Sequence, residues 1–265
     1  MAFEELKERQ SAMWGNGAFE LVSETVADVY DTVVEALAPA EGERWLDVAC
    51  GTGALCQRAA RAGAIVRGID FAPVLIETAK RLAQEHGLDI DFRVGDAEQL
   101  EVDDASFDVV SSTFGVMFAP DHARAATELA RVTRTGGRLG LATWTPEGGV
   151  GNLFQFTAKF QPPPPEGAGV PLDWGREEYV ESLLGEAFDL RFDRRVTTYR
   201  TGSGEEAWQF YVTNFGPVKA IAGSLDAEGR EEFHQAWVEF FETNYRSGDS
   251  IEHDREYLLS VGTRR

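Results

Sequence analysis

The fold is decided by residues 44–53, RWLDVACGTG. An apolar run interrupted only by Asp47 predicts a short parallel strand that is buried on both faces. An unpaired carboxylate inside such a strand would cost roughly several kcal/mol, so a cation, a set of backbone donors or a ligand must compensate its charge. Gly51 and Gly53 can adopt positive φ, which predicts a tight turn whose backbone lies against a bound molecule. A helix predicted after this turn would point its free N–H groups at the same place.

Two classes of ligand bind at a glycine turn between a strand and a helix. Dinucleotides place their pyrophosphate there and require G-x-G-x-x-G, but the third position here is Cys56, and Asp47 would repel a pyrophosphate. S-adenosylmethionine (SAM) brings an ammonium and a sulfonium and no phosphate, so an acid beside the turn favours it. The glycine spacing alone would also suit a structural turn, and only its combination with the acid indicates SAM.

Composition and charge exclude several classes of partner. The chain has 265 residues, 43% hydrophobic and 26% charged, which is typical of a globular domain. A net charge of −20 argues against nucleic acid or an anionic membrane as partner, and also serves solubility. The two cysteines, Cys50 and Cys56, form no disulfide framework and no metal-ligand cluster, so no metal is expected. Without a signal peptide or a membrane-spanning run, the sequence predicts a cytoplasmic protein.

The first 144 residues predict a helical arm followed by an alternation of strands and helices. Apolar residues recur at helical spacing over residues 3–38, and Pro39 ends that pattern. Trp14 and Phe19 lie in a glycine-rich bend, where they would either fold over the ligand site as a lid or pack on the edge of the domain. The alternation over residues 44–144 predicts a doubly wound parallel sheet.

Two further acids follow predicted strands of this sheet. Asp70 ends the second strand, where it could accept hydrogen bonds from both hydroxyls of an adenosine ribose, or cap the helix that Pro73 begins. Asp96 follows the third strand and could accept from an adenine amino group, or simply serve as a turn residue.

The regular alternation ends after the fifth strand. Four consecutive prolines exclude a central strand at 145–175 and predict a long ordered loop or a mobile flap. The helices predicted beyond it, rich in aromatic residues that mostly serve packing, would form a cap inserted before the last strand. The predicted elements after the flap are a helix at 175–188, a strand at 189–201, helices at 204–222 and 226–246, and a strand at 255–263.

With these motifs in view, the chain resembles the class I SAM-dependent methyltransferases, and within them the small-molecule enzymes related to the quinone C-methyltransferases. The segments LDVACGTG, GIDFAP, GDAEQL and FDVVSSTFGVMFAPD carry the resemblance. It implies a Rossmann-like, mostly parallel seven-stranded sheet whose last strand is antiparallel, with SAM as cofactor and S-adenosylhomocysteine (SAH) as product. The implied cofactor-binding residues are Asp47, Gly51 and Gly53 at the methionine end, Asp70 and Phe71 at the adenosine, Asp96 and Ala97 at the adenine, and Thr113 near the sulfonium.

Methyl transfer expels a neutral thioether, so alignment in a dry pocket supplies much of the catalysis. A hydroxyl or carbon acceptor would also need a base, and His122, after the exit loop of the fourth strand, is the candidate. His86 and His253 are expected at the surface. The aromatic content predicts a small planar or apolar acceptor, and the residues expected to contact it are Trp14, Phe19, Phe114, Met117, Trp144 and Trp174.

The sequence thus predicts one methyltransferase domain over residues 1–265. Its expected parts are an N-terminal arm at 1–43, a SAM-binding core at 44–145, a flap and helix at 146–187, and the last strands at 188–265 with the helical cap at 204–247. The alternative is a regulator that binds SAM or SAH without turnover. A nicotinamide oxidoreductase is a more distant one. The sequence does not reveal the oligomeric state.

Overall fold

A computed structural model describes residues 3–265. Within them, one sheet with the strand order β3-β2-β1-β4-β5-β8-β6 organises the chain. Strands β1 to β5 pair in parallel, and β8 lies antiparallel to both β5 and β6. This arrangement confirms the predicted Rossmann-like methyltransferase fold with an antiparallel last strand. The strands are β1 (Arg44–Val48), β2 (Ile65–Asp70), β3 (Asp91–Val94), β4 (Phe107–Thr113), β5 (Thr133–Trp144), β6 (Phe188–Thr201), β7 (Arg246–Ser247) and β8 (Ser250–Arg264).

Helices cover both faces of the sheet and its carboxyl edge. Aspartate side chains cap two of them: Asp121 accepts from the Arg124 N–H at 3.0 Å, and Asp226 accepts from the Gly229 N–H at 2.8 Å. The helices are α1 (Glu4–Trp14), α2 (Phe19–Glu24), α3 (Ala27–Leu37), α4 (Ala54–Arg61), α5 (Pro73–Glu85), α6 (His122–Val132), α7 (Gly149–Thr157), α8 (Glu177–Leu184), α9 (Gly204–Asn214), α10 (Gly216–Ser224) and α11 (Ala227–Tyr245).

The structure departs from the sequence-based expectations at four places. The arm consists of three helices, because the chain breaks at Thr25 in addition to the predicted bend after Trp14. The helix expected at 204–222 breaks at Phe215, which has an extended backbone and leads into a new helix with proline in its first turn. The expected loop at 145–175 contains α7. The two-residue β7, which pairs only with β8, adds an eighth strand to the seven predicted ones.

The described residues form two hydrophobic clusters. The larger one surrounds the sheet and includes Trp45 and Leu46, whose side chains are fully buried. The smaller one joins α7 to the cap helices α9–α11 around Phe233, Trp237 and Phe241. Strand β8 extends from the first cluster into the second, so it connects the sheet to the cap. Over residues 3–265, no helix has the length and apolar composition needed to cross a bilayer.

Candidate functional site

A deep cavity opens at the carboxyl edge of the sheet, where β1 and β4 lie side by side and their chains leave in opposite directions. Open α/β sheets bind ligands at such a point. Two residues that line it, Ala49 and Phe114, have positive φ of 54° and 56°. Gly115 permits this close approach, because a Cβ there would lie 2.5 Å from the Cβ of Ala49. Backbone strain of this kind is concentrated at functional sites.

Asp47 lines the cavity and is 2% exposed. Its carboxylate accepts from the Ser111 hydroxyl at 2.7 Å and from the Cys56 thiol at 3.5 Å, and Ser111 in turn accepts from the Trp45 indole at 2.7 Å. Among the described residues it has no cationic partner. Burial raises the pKa of Asp47 to about 7, an effect that the two hydrogen bonds offset in part and the charge of Asp70 increases. The carboxylate is therefore available to a cationic ligand.

Asp70, at the end of β2, is also buried and lines the cavity. Its two oxygens accept from the backbone N–H groups of Gly51 and Ala72, both at 2.9 Å. Burial raises the pKa of Asp70 to about 6, although the two hydrogen bonds favour the ionised form and lower it. Asp70 does not cap α5, because Ala72 is the N-cap residue of that helix and no side chain caps it. Each oxygen retains a lone pair, so the ribose role remains compatible with these bonds.

Asp96 and Ala97 line the same cavity, but Asp96 is already engaged. Its carboxylate accepts from the Glu98 N–H at 2.9 Å and from the Lys7 ammonium at 2.7 Å. Lys7 also contacts the Glu98 carboxylate, so this one cation of α1 bridges two acids of the sheet domain. Burial disfavours the charged ammonium and lowers the pKa of Lys7, but the hydrogen bonds and charges of Asp96 and Glu98 together outweigh this effect, so the pKa is raised. No sequence pattern predicts this contact between the arm and the expected adenine site.

The glycine turn after β1 has the geometry that the sequence predicted. Gly51 and Gly53 have φ of 55° and 80°. Gly51 lines the cavity, whereas Gly53 lies behind it, where a Cβ would approach Phe92 to 2.6 Å. Thr113, the last residue of β4, also lines the cavity, and its buried hydroxyl has no partner among the described residues.

Aromatic residues of the arm cover one part of the cavity. Trp14 and Phe19 both line it, with ring centroids 5.7 Å apart. Trp14 also packs edge-on against Phe118 of the β4 exit loop and Phe215 of the cap, at 5.0 and 5.6 Å. Of the two positions considered for these residues, the structure thus has the one over the site.

A second aromatic group lies at the ends of β4 and β5. Phe114 and Trp144 stack with ring centroids 3.6 Å apart and an angle of 4° between their planes. Both line the cavity, and Phe71 lines it as well. The stacked pair presents a flat apolar wall next to Thr113, the residue expected near the sulfonium.

Besides Gly53, three predicted residues lie outside the lining of the cavity: His122, Met117 and Trp174. His122 is 3% exposed, and its Nδ1 lies 2.8 Å from the Tyr179 hydroxyl while its Nε2 lies 3.2 Å from the Met117 carbonyl oxygen. Because a carbonyl only accepts, Nε2 carries the proton and Nδ1 accepts from Tyr179. Burial lowers the pKa of His122. This neutral imidazole lies within the packing of the exit loop, and its proposed role as base has no support from the geometry.

Two residues of β8 that the sequence reasoning missed line the cavity instead, His253 and Arg255. The expectation of a surface position for His253 is wrong, since its side chain is fully buried. Apart from the adjacent backbone of Gly149, its ring nitrogens have no hydrogen-bond partner among the described residues, and burial lowers its pKa to about 4. The signal was present in the alternation of β8, in which residues 251, 253, 255 and 257 all face inwards.

The described residues fit SAM. One end of the cavity offers a buried carboxylate without a cation among the described residues, the left-handed Gly51 and an unpartnered threonine hydroxyl. A second buried carboxylate, that of Asp70, follows on the neighbouring strand. A phosphate-bearing dinucleotide would instead meet the carboxylates of Asp47 and Asp70 at this end, where Lys7 is already engaged by two acids.

Comparison with known proteins agrees with this fit. Residues 46–141 match a family model described as a methyltransferase domain. A protein of Mycobacterium tuberculosis without an assigned function is 38% identical over 229 residues, which are 82% of this chain and 84% of that protein. A ubiquinone biosynthesis O-methyltransferase of Maricaulis maris is 43% identical over 106 residues, 40% of this chain and 42% of that enzyme. The solved structure of the YcgJ protein of Bacillus subtilis has the same fold, with a TM-score of 0.62, 20% identity and coverage of 89% of this chain and 97% of that one.

Proposed function

Because this chain belongs to the class I SAM-dependent methyltransferases and uses SAM as its cofactor, we propose that it methylates a small planar or apolar metabolite. The observation that carries the proposal is the continuity of the cavity. Its lining runs from the acids Asp47 and Asp70 to the stacked rings of Phe114 and Trp144 without an intervening wall. Cofactor and acceptor would therefore share one enclosed space, as in-line transfer requires.

The lining also indicates the size and polarity of the acceptor. Arm, exit loop and cap each contribute an aromatic ring, in Trp14, Phe118 and Phe215. Rings from three separate elements surround a volume suited to a small molecule, which favours such an acceptor over a protein segment. Flat apolar surfaces favour flat apolar ligands, because their burial removes the most water per contact.

When bound, SAM supplies an electrophilic methyl group on a sulfonium. The residues of this chain would orient it: Asp47 faces the ammonium, Asp70 accepts from the ribose hydroxyls, and Thr113 offers its free hydroxyl near the sulfonium. The apolar walls exclude water, which protects the methyl group from hydrolysis. Well-oriented intramolecular reactions reach effective molarities of about 10⁵ M or more, so positioning accounts for much of the rate.

An acceptor that loses a proton on methylation requires a base. His253 is the side chain in the lining that we assign to this role, because it is neutral at neutral pH and no side chain among the described residues occupies its ring nitrogens. It would accept the proton from the acceptor atom as the new bond to the methyl carbon forms. This role replaces the one first considered for His122.

The test is incubation of the purified protein with SAM and a small-molecule extract, read by mass spectrometry for products heavier by one CH₂ and for release of SAH. We expect new small-molecule products in amounts equal to the SAH formed. Methylation confined to proteins would contradict the acceptor class. SAH binding without any turnover would identify the chain as a SAM-binding regulator instead. The Asp70→Asn variant is the matched control, since loss of the ribose acceptor should abolish product formation in the same extract.

A further inference from the structure

The acceptor end of the cavity contains a buried cation with no carboxylate beside it. Arg255 on β8 is 4% exposed. Its Nη1 donates to the Thr25 hydroxyl at 3.0 Å, its Nη2 donates to the Thr25 carbonyl oxygen, and its Nε has no partner among the described residues. No ion pair involves Arg255 within residues 3–265. A buried charge in this state is costly unless a ligand compensates it.

The carboxylates nearest to Arg255 in sequence and in strand pairing form hydrogen bonds with threonine hydroxyls. Asp254 and Glu256 alternate with Arg255 along β8, and their carboxylates accept from Thr198 at 2.6 Å and from Thr145 at 2.9 Å. Asp28 accepts from the hydroxyl of Thr197, which is the residue paired with Arg255 on β6, at 2.8 Å. These hydrogen bonds fix the three carboxylates, so none of them neutralises the guanidinium.

What surrounds Arg255 is aromatic. Its Cζ lies 5.9 Å from the ring centroid of Trp144 and 5.7 Å from that of Tyr199. Cation–π contacts of this kind stabilise a guanidinium without supplying negative charge. Since Trp144 stacks on Phe114, the flat wall of the acceptor site ends at this cation.

We propose that Arg255 binds a carboxylate of the methyl acceptor, so that the substrates are small planar acids. Thr25 holds the Nη groups and the Tyr211 hydroxyl also contacts the guanidinium, so the unpartnered Nε–H and a second Nη–H would form the edge that binds a ligand. That edge matches the two oxygens of a carboxylate, which guanidinium binds side-on with two parallel hydrogen bonds. The rings of Phe114 and Trp144 would contact the planar body of the acid. The inference rests on the proposed function, because it assigns the cavity to an acceptor.

The test measures binding and does not depend on turnover. Protein saturated with SAH is titrated calorimetrically with benzoate, cinnamate and 2-naphthoate, and separately with the three corresponding primary amides. The wild-type protein should bind at least one acid about tenfold or more tightly than its amide, as expected for a charge-assisted hydrogen-bonded pair. Arg255→Gln should abolish that preference, and Arg255→Lys should retain part of it because the charge remains.

Two controls separate this inference from other causes. Arg200→Gln, which removes an exposed arginine of β6, should keep the preference for the acid. The affinity for SAH should be unchanged in Arg255→Gln, which would show an intact cofactor site. Equal affinity of the wild-type protein for every acid and its amide, or a preference that survives in Arg255→Gln, would overturn the inference. If the extract experiment yields no methylated product but the acids bind through Arg255, the proposed function fails and this site stands.

Discussion

Asp47 links the cofactor site to the stability of the fold. Its pKa is about 7 in the folded protein, against an ordinary value of 3.8, so between these two values the folded state holds a proton that the unfolded state has lost. Stability must therefore fall as the pH rises from about 4 to about 7. Asp70, with a pKa of about 6, contributes in the same direction.

We expect Asp47→Asn to make the unfolding free energy of the ligand-free protein less dependent on pH. Urea unfolding at about pH 5.5 and pH 8 should show that the variant gains stability relative to wild type at the higher pH, by about 1–3 kcal/mol. At the same time the variant should bind SAM more weakly, since an amide cannot compensate the ammonium. Equal slopes of unfolding free energy against pH in the two proteins would contradict the assigned pKa.

Substitutions of His122 and His253 are expected to have opposite effects, the first on stability and the second on turnover. His122→Asn should lower the melting temperature, because it breaks the contacts with Tyr179 and Met117, but should leave SAM-dependent turnover within about threefold of wild type. His253→Asn should reduce turnover by about a hundredfold or more if it serves as the base, with SAH affinity unchanged. SAH release measures the turnover of both variants, and calorimetry on the same samples measures the melting temperature and the affinity for SAH. A large loss of turnover in His122→Asn alone would reverse the assignment.

Individual site residues could be predicted from the sequence where an unusual side chain and a characteristic spacing occur together. Asp47 could be identified because a carboxylate inside an apolar strand requires a compensating partner. The glycines that follow it indicate a ligand-binding turn. His253 and Arg255 could not be placed in the same way. Their distance from the glycine turn exceeds 200 residues, and only the pairing of β8 with β5 brings them to the cavity. Local patterns report the face of a strand, whereas the cavity depends on the order of strands in the sheet.

Among the elements, helix α1 is tied to the sheet domain by Lys7. The Lys7→Met variant leaves Glu98, which is 5% exposed, as a buried carboxylate without its cation. We expect it to loosen the arm, so that limited proteolysis cleaves within α1–α3 faster than in wild type and the unfolding free energy falls by about 1–3 kcal/mol. Arg9→Met, a change at an exposed position of the same helix, is the control and should leave both measurements unchanged. An unaltered cleavage rate in Lys7→Met would show that the ion pairs do not hold the arm.

The arm also shows why element boundaries were harder to predict than element types. Its glycines predict the bend after Trp14, but its apolar spacing is helical throughout and predicts neither the break at Thr25 nor the close approach of the arm to the cap. A Cβ at Gly17 would lie 2.3 Å from the Asn214 carbonyl oxygen, and one at Gly216 would lie 1.9 Å from the Met13 carbonyl oxygen. These contacts connect residues about 200 positions apart, so periodicity within the arm carries no trace of them. The alternating strands and helices of the core depend on local pattern alone and were predicted correctly.

For the whole molecule, the net charge of −20 should act on the cofactor. SAM carries one net positive charge, whereas SAH is neutral overall, so a negative protein field attracts the first more than the second. We therefore expect the affinity for SAM to fall by about two- to fivefold between about 20 and 500 mM NaCl, while the affinity for SAH changes little. Calorimetric titration of both ligands across this range measures the difference. Asp47→Asn should bind SAM more weakly throughout yet keep most of the salt dependence, because the field arises from the distributed surface acids rather than from one buried group. Equal salt dependence for SAM and SAH would mean that local contacts alone select the cofactor.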